Sequence, residues 1–125
     1  MEEGEEVMGF SYLASPYQNP DDPTDRLYCA QRFAEACSAA AKLMAQGHLI
    51  FCPIAHSHCI ADYLLADARN SHGFWLKQDF ALLASAQRLL VLMLHQWRRS
   101  YGVAKEIEFA RDNGIPVEYL EPGEL

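Results

Sequence analysis

The chain has 125 residues, half of them hydrophobic and 22% charged, and carries a formal net charge of −7. This size and composition predict one globular domain with its own core and exclude a two-domain protein. A negative balance without a basic stripe excludes binding to a nucleic-acid polymer, and every apolar run is too short to cross a membrane.

The first eight residues are rich in Glu and predict a flexible acidic tail, so the domain is expected to span residues 9–125. The sequence shows no signal-peptide pattern before its first apolar run, and we expect a cytoplasmic protein. The cysteines form no Cys-x-x-Cys pair, which favours reduced thiols over disulfides or a zinc site.

Apolar runs and helical stripes alternate along the rest of the chain. Strands are predicted at residues 10–14, 49–52, 88–94 and 115–119, and helices at 25–46, 73–84 and 101–113. The apolar face predicted for the first helix consists of Leu27, Ala30, Ala34, Cys37, Ala41 and Met44. The order predicts a single-domain α/β fold with three α/β/α layers and a doubly wound, mostly parallel sheet of about four to five strands, Rossmann-like or flavodoxin-like.

In such folds the ligand binds at the carboxyl ends of the strands, so the segments that follow the strands are the candidate site. Their polar and aromatic side chains include Ser15, Tyr17, His56, His58 and Ser100. The two histidines lie in a segment predicted as a loop and lack the further ligands that a metal site needs, so we expect no metal. They are expected to line a pocket and to hydrogen-bond a heterocycle.

Ser100 and Gly102 stand where the last helix is predicted to begin. The free N–H groups and dipole of a helix start can hold an anion or a hydroxyl group. A plain helix cap by Ser100 is the alternative. A Gly-rich phosphate loop is absent from the sequence, which argues against a P-loop or dinucleotide fold.

Glu106 interrupts the apolar stripe of this last helix. Val103, Glu106, Ile107 and Ala110 have the spacing of one buried helix face, so the carboxylate is predicted to point inward. A carboxylate there loses hydration and needs a partner or a chemical role. The alternative is a position at the edge of the stripe, where the carboxylate reaches water.

Asp79 is predicted to lie on an inward helix face with Trp75, Leu76 and Leu83. Apolar surroundings raise the pKa of a carboxyl group, and two acids in different settings suit a nucleophile and a proton donor. The alternatives are an ion pair of Asp79 with Lys or Arg across the interface, and simple core packing for Trp75.

Five motifs together resemble the nucleoside 2-deoxyribosyltransferase superfamily, from Phe10 to Tyr119. They are Tyr12-Leu-Ala-Ser-Pro-Tyr17, Pro53-Ile-Ala-His56, Asp79, Ser100-x-Gly-Val-x-x-Glu106 and Gly114-x-Pro-Val117. Within the superfamily the chain is similar to a group of short bacterial and phage domains and to the nucleoside 5′-monophosphate N-glycosidases.

The resemblance implies that Glu106 attacks the anomeric carbon of a nucleoside and displaces the base, giving a glycosyl-enzyme intermediate. It further implies that Asp79 protonates or holds the departing base, that Tyr12 positions the nucleophile and that Ala14 and Ser15 line the sugar site. The resemblance implies no cofactor. It does imply a homodimer or a higher homo-oligomer.

Ser100 departs from the transferase pattern, which has an Asp at this place for the sugar 5′-hydroxyl. A Ser suits a 5′-phosphate better because it donates without adding negative charge. Arg98 and Arg99 are close enough in sequence to add positive charge, with a solvated turn as the alternative. We therefore expect hydrolysis of a nucleotide or nucleoside, with base exchange by a transferase, a non-catalytic nucleotide-binding module and an interaction protein as alternatives.

Overall fold

The computed structural model describes residues 9–125, so the predicted acidic tail at residues 1–8 lies outside the described residues. Its four strands are β1 (Ser11–Ala14), β2 (Ile50–Phe51), β3 (Arg88–Leu92) and β4 (Val117–Leu120). They form one all-parallel sheet in the order β2-β1-β3-β4. This order, with helices on both sides of the sheet, confirms the predicted three-layer α/β fold.

Five helices connect the strands. They are α1 (Arg26–Ala45), α2 (Pro53–Ala61), α3 (Ala66–Arg69), α4 (His72–Leu83) and α5 (Tyr101–Asp112). Polar caps set the starts of the three long ones, because Asp25, Ser71 and Ser100 each accept a hydrogen bond from a backbone N–H three residues on. Within residues 9–125, no helix has the combined length and apolar character needed to cross a membrane.

The predicted loop at residues 53–58 is wrong, because α2 begins there directly after β2. Pro53 occupies the first turn of α2, where its missing N–H costs no helical hydrogen bond. The strand before it is only two residues long. The second strand is therefore followed directly by a helix that lines the candidate site.

The sheet separates two hydrophobic clusters, because alternate residues of each strand point to opposite faces. On one face, Leu13 and Leu90 pack with Ala36, Ala40 and Leu43 of α1. On the other face the cluster contains Tyr12, Leu89, Leu83 of α4, and Val103 and Ala110 of α5. Tyr12 therefore lies on the face that α5 covers.

The predicted apolar face of α1 is wrong. Leu27 is 84% exposed and Met44 52% exposed, whereas the buried side includes Cys29, Ala36 and Leu43. Alanines occur on several sides of this helix, so the hydrophobic pattern does not indicate which side is buried. The face that packs is the one whose small side chains allow close approach to the sheet.

Arg88 joins the amino-terminal ends of the strands. Its guanidinium donates to Ser11 Oγ at 2.8 Å and to the Glu118 carboxylate at 3.0 Å, and lies 3.3 Å from Nδ1 of His48. These partners belong to β1, to β4 and to the segment before β2. Arg88 thus stabilises the sheet at the end opposite to the candidate site.

Candidate active site

A cavity of about 600 Å³ opens at the carboxyl-terminal edge of the sheet. This volume falls in the usual range of small-molecule sites, about 300–1,000 Å³. Eight of the predicted site residues line it, namely Ser15, Tyr17, His58, Trp75, Asp79, Ser100, Gly102 and Glu106. The fold therefore brings most of the predicted site into one space.

Glu106 lies at the wall of this cavity and is only 5% exposed, which contradicts the alternative of a water-exposed position at the edge of the stripe. The Tyr12 hydroxyl donates a hydrogen bond to its carboxylate. Burial raises the pKa of Glu106 to about 8, the Tyr12 hydrogen bond opposes that rise, and the nearby charge of Asp79 adds to it. The protonated form of this carboxyl group therefore predominates at neutral pH.

Tyr12 lies beneath Glu106, fully buried in β1, and not on the cavity surface. Burial, together with the charges of Glu106 and Asp79, raises its pKa far above the ordinary value, so the phenol keeps its proton and remains a donor. A fixed donor from the central part of the sheet sets the direction of the Glu106 carboxylate. The expected contact between Tyr12 and Glu106 is therefore present.

Asp79 lines the same cavity from α4. Among the ion pairs of residues 9–125 none includes Asp79, so the alternative of a Lys or Arg partner is wrong. Burial raises the pKa of Asp79 to about 6. A carboxyl group with this pKa exchanges its proton within the physiological range and can act as a general acid.

Ser15 and Ser100 supply hydroxyl groups to the cavity. The Oγ of Ser15 is buried and has no hydrogen-bond partner within residues 9–125. Ser100 caps α5 by accepting from the Val103 N–H at 3.2 Å, which leaves its own O–H free to donate. The N–H groups of Tyr101 and Gly102, in the first turn of α5, have no partner within the helix. Ser100 can therefore cap the helix and bind a ligand at the same time, because the cap uses the hydroxyl oxygen as an acceptor and a ligand would use the hydroxyl hydrogen.

Tyr17 and His58 form one wall of the cavity. The Tyr17 hydroxyl is 2.5 Å from Nδ1 of His58, and the imidazole stacks on Phe33 with centroids 4.1 Å apart. Burial raises the pKa of Tyr17 to about 12. The two side chains hold each other in place and present a fixed aromatic and polar surface.

Trp75 lines the cavity, so simple core packing does not describe it. Its indole N–H donates to the Arg69 carbonyl oxygen at 2.8 Å. This bond connects α4 to the end of α3.

Two predicted binding residues lie outside the cavity lining. Ala14 is fully buried at the end of β1. His56 is exposed on the other side of α2, with its ring 5.6 Å from that of Phe51. A helix turns residues two apart to different sides, whereas the predicted loop placed His56 beside His58.

Sequence patterns did not indicate the cavity residues from the end of α2 to the start of α4. Asp62, Arg69, Asn70 and His72 all line the cavity, and so does Cys29 of α1. The first four belong to a mixed polar and apolar stretch, residues 62–72, without strong periodicity, so no pattern marked them. Pro53 after a strand was the available signal that a helix leads into this stretch.

Residues 9–121 match the family model described as domain of unknown function DUF1937. The chain belongs to the DUF1937 family. No curated protein matches it. The matched range covers the whole sheet and every cavity residue of this DUF1937 domain.

Proposed function

We propose that the domain hydrolyses the N-glycosidic bond of a nucleoside 5′-monophosphate or nucleoside through a covalent glycosyl-Glu106 intermediate. The observation that carries the proposal is the buried Glu106 carboxylate, held by Tyr12 at the wall of a cavity that also contains Asp79. A buried carboxylate with one fixed donor, facing an open cavity, has the setting of a nucleophile. The resemblance to the deoxyribosyltransferase superfamily supports the same chemistry.

The first step forms a bond between a Glu106 carboxylate oxygen and the anomeric carbon C1′, and breaks the bond from C1′ to the base nitrogen. The electron pair of the broken bond goes to the base, which takes a proton from the Asp79 carboxyl group. Water then attacks C1′, releases the Glu106 carboxylate and returns a proton to Asp79. The sum is one nucleotide and one water converted to a free base and a sugar 5′-phosphate.

The pKa values of the two acids allow this exchange. One proton is shared between groups that titrate at about 6 and about 8. The reactive form carries that proton on Asp79 and the charge on Glu106. Because Glu106 has the higher pKa, this is the less populated of the two singly protonated forms, and the Tyr12 hydrogen bond raises its population by lowering the pKa of Glu106. A bound sugar also displaces water from the cavity. This strengthens the attraction between the positive charge that develops at C1′ and the Glu106 carboxylate.

Ser100 is the proposed contact of the 5′-phosphate. Ser100→Asp tests it, because Asp is also a good helix cap and the variant therefore keeps the fold. The added negative charge should weaken cleavage of 5′-monophosphates and spare nucleosides. Equal losses on the two substrate classes would count against this contact.

The deciding experiment is chromatography of products from deoxy- and ribonucleosides and their 5′-monophosphates, with and without a second free base. The intact domain is compared with Glu106→Gln and with Glu108→Gln, a change of the same type on the exposed side of α5. Free base should appear with the intact domain and Glu108→Gln, and not with Glu106→Gln.

The other outcomes separate the alternatives. A new nucleoside in the two-base samples would establish transfer instead of hydrolysis. Nucleotide binding without product would indicate a binding module, and full activity of Glu106→Gln would exclude the covalent mechanism. The resemblance also implies a homodimer, which light scattering of the purified domain would measure.

A further inference from the structure

Three arginines line the cavity, and they differ in their partners. Arg26 pairs with Asp62 at 3.1 Å, and Arg99 pairs with Asp21 at 2.7 Å. Within residues 9–125 the guanidinium of Arg69 has neither an ion pair nor a hydrogen bond. Arg69 is therefore the cavity arginine whose charge is not already balanced by a carboxylate of the described chain.

The backbone of Arg69 is held in place. Its carbonyl oxygen accepts the Trp75 indole N–H at 2.8 Å, and its N–H donates to the Leu65 carbonyl oxygen at 3.0 Å. A side chain that extends from a fixed backbone loses less freedom when it binds a ligand. Only the side chain of Arg69 therefore has to become ordered when a ligand binds.

The position of Arg69 relates it to the start of α5. The ring of His72, three residues further on, packs against the ring of Tyr101 with centroids 4.6 Å apart. This contact brings the segment from α3 to α4 beside the first turn of α5, where the Tyr101 and Gly102 N–H groups and the Ser100 hydroxyl lie. The same cavity is therefore lined by Arg69 and by the donors at the start of α5.

An anionic ligand needs such a cation here. The other charged groups of the cavity are Asp62, Asp79 and Glu106, together with the two arginines that already have partners. A phosphate with nearly two negative charges at neutral pH is repelled by these acids unless a cation balances it. Guanidinium groups bind phosphate oxygens through two parallel N–H bonds.

We propose that Arg69 binds the phosphate of the substrate and makes the domain selective for a 5′-monophosphate over the corresponding nucleoside. This inference rests on the proposed function, because it assigns the substrate class of the same cavity. It replaces the expectation from sequence that Arg98 and Arg99 supply the charge, since Arg98 does not line the cavity and lies over the Trp97 ring, and Arg99 is bound to Asp21.

Binding is tested first, apart from any chemistry. Calorimetry on the Glu106→Gln domain, which should not turn over, measures its affinity for inorganic phosphate, a nucleoside and its 5′-monophosphate. The measurement is repeated after adding Arg69→Met, Arg69→Lys, Arg99→Met or Lys77→Met to that domain. Lys77→Met removes one positive charge from the exposed side of α4, outside the cavity, and is the control. Arg69→Met should weaken 5′-monophosphate binding by about 10- to 100-fold, with Arg69→Lys in between.

Nucleoside affinity should be unchanged in all variants. The same loss for nucleoside and monophosphate, or no loss in Arg69→Met, would overturn the assignment. A loss confined to Arg99→Met would assign the phosphate to that residue instead. Because binding is measured without turnover, a domain that binds monophosphates through Arg69 but releases no base would refute the proposed reaction and leave this assignment standing.

Discussion

Glu106→Gln should abolish most of the dependence of stability on pH between about 4.5 and about 8, the ordinary pKa of a Glu and the pKa raised by burial. The folded protein keeps the proton of Glu106 in this interval, whereas the unfolded chain has released it. Stability from this group is therefore fully present below the lower value and is lost as pH rises to the upper one. Glutamine fills the same volume and still accepts from Tyr12, but it does not titrate.

The size of the effect follows from the same two pKa values. They are 4.5 for an ordinary Glu and about 8 for the buried Glu106. At about 1.4 kcal/mol for each pKa unit, the wild-type domain loses at most roughly 5 kcal/mol of unfolding free energy across the interval. Asp79 adds a loss of the same sign between 3.8 and about 6, and this loss is common to both proteins. The difference between the proteins therefore isolates Glu106.

Urea unfolding followed by tryptophan fluorescence, at pH values from 4.5 to 9, measures this difference. The two proteins should have similar stability at the acidic end, and Glu106→Gln should be more stable by several kcal/mol at the alkaline end. Glu108→Gln is the control, because its exposed carboxylate should change stability by less than about 0.5 kcal/mol. Parallel curves for wild type and Glu106→Gln would refute the buried, proton-holding carboxyl group.

Three further predictions concern activity and the sheet. The profile of kcat/KM against pH should be bell-shaped, with limbs at pH values of about 6 and about 8, and Asp79→Asn should remove one limb. A flat profile would exclude the shared proton. Tyr12→Phe should lower kcat/KM about 10-fold or more and move the alkaline limb upward, because a hydrogen bond to the charged form is lost; an unchanged limb would contradict it. Arg88→Met should lower the unfolding free energy by about 1–3 kcal/mol in urea without changing kcat, and a loss of kcat at full stability would show coupling between the two ends of the sheet.

The sheet and the three long helices were predictable because their signals are local. Continuous apolar runs give buried parallel strands, and capping residues such as Asp25 and Ser100 mark the helix starts. The inward direction of Glu106 was predictable for a related reason, since a single carboxylate among Val103, Ile107 and Ala110 fixes its own side of the helix. Short-range periodicity carried enough information for each of these.

Other features depended on contacts that the sequence does not display. An alanine-rich helix has no single apolar stripe, so the packed side of α1 is chosen by the sheet and not by the helix. The free charge of Arg69 follows from which aspartates reach Arg26 and Arg99, and these partners are distant in sequence. The prediction that His56 lines the cavity was wrong because residues 53–61 form a helix and not a loop, and the helix directs the His56 side chain away from the cavity.

The walls of the cavity have a consequence for the thermodynamics of binding. One wall is formed by α2 together with the segment before α1, and this segment is held by its own hydrogen bonds, from Asn19 to Asp25 and from Thr24 to Asp22. A preorganised cavity requires little ordering of backbone when a ligand enters. The heat-capacity change of binding should therefore reflect only the surface that the ligand covers, without a contribution from coupled folding.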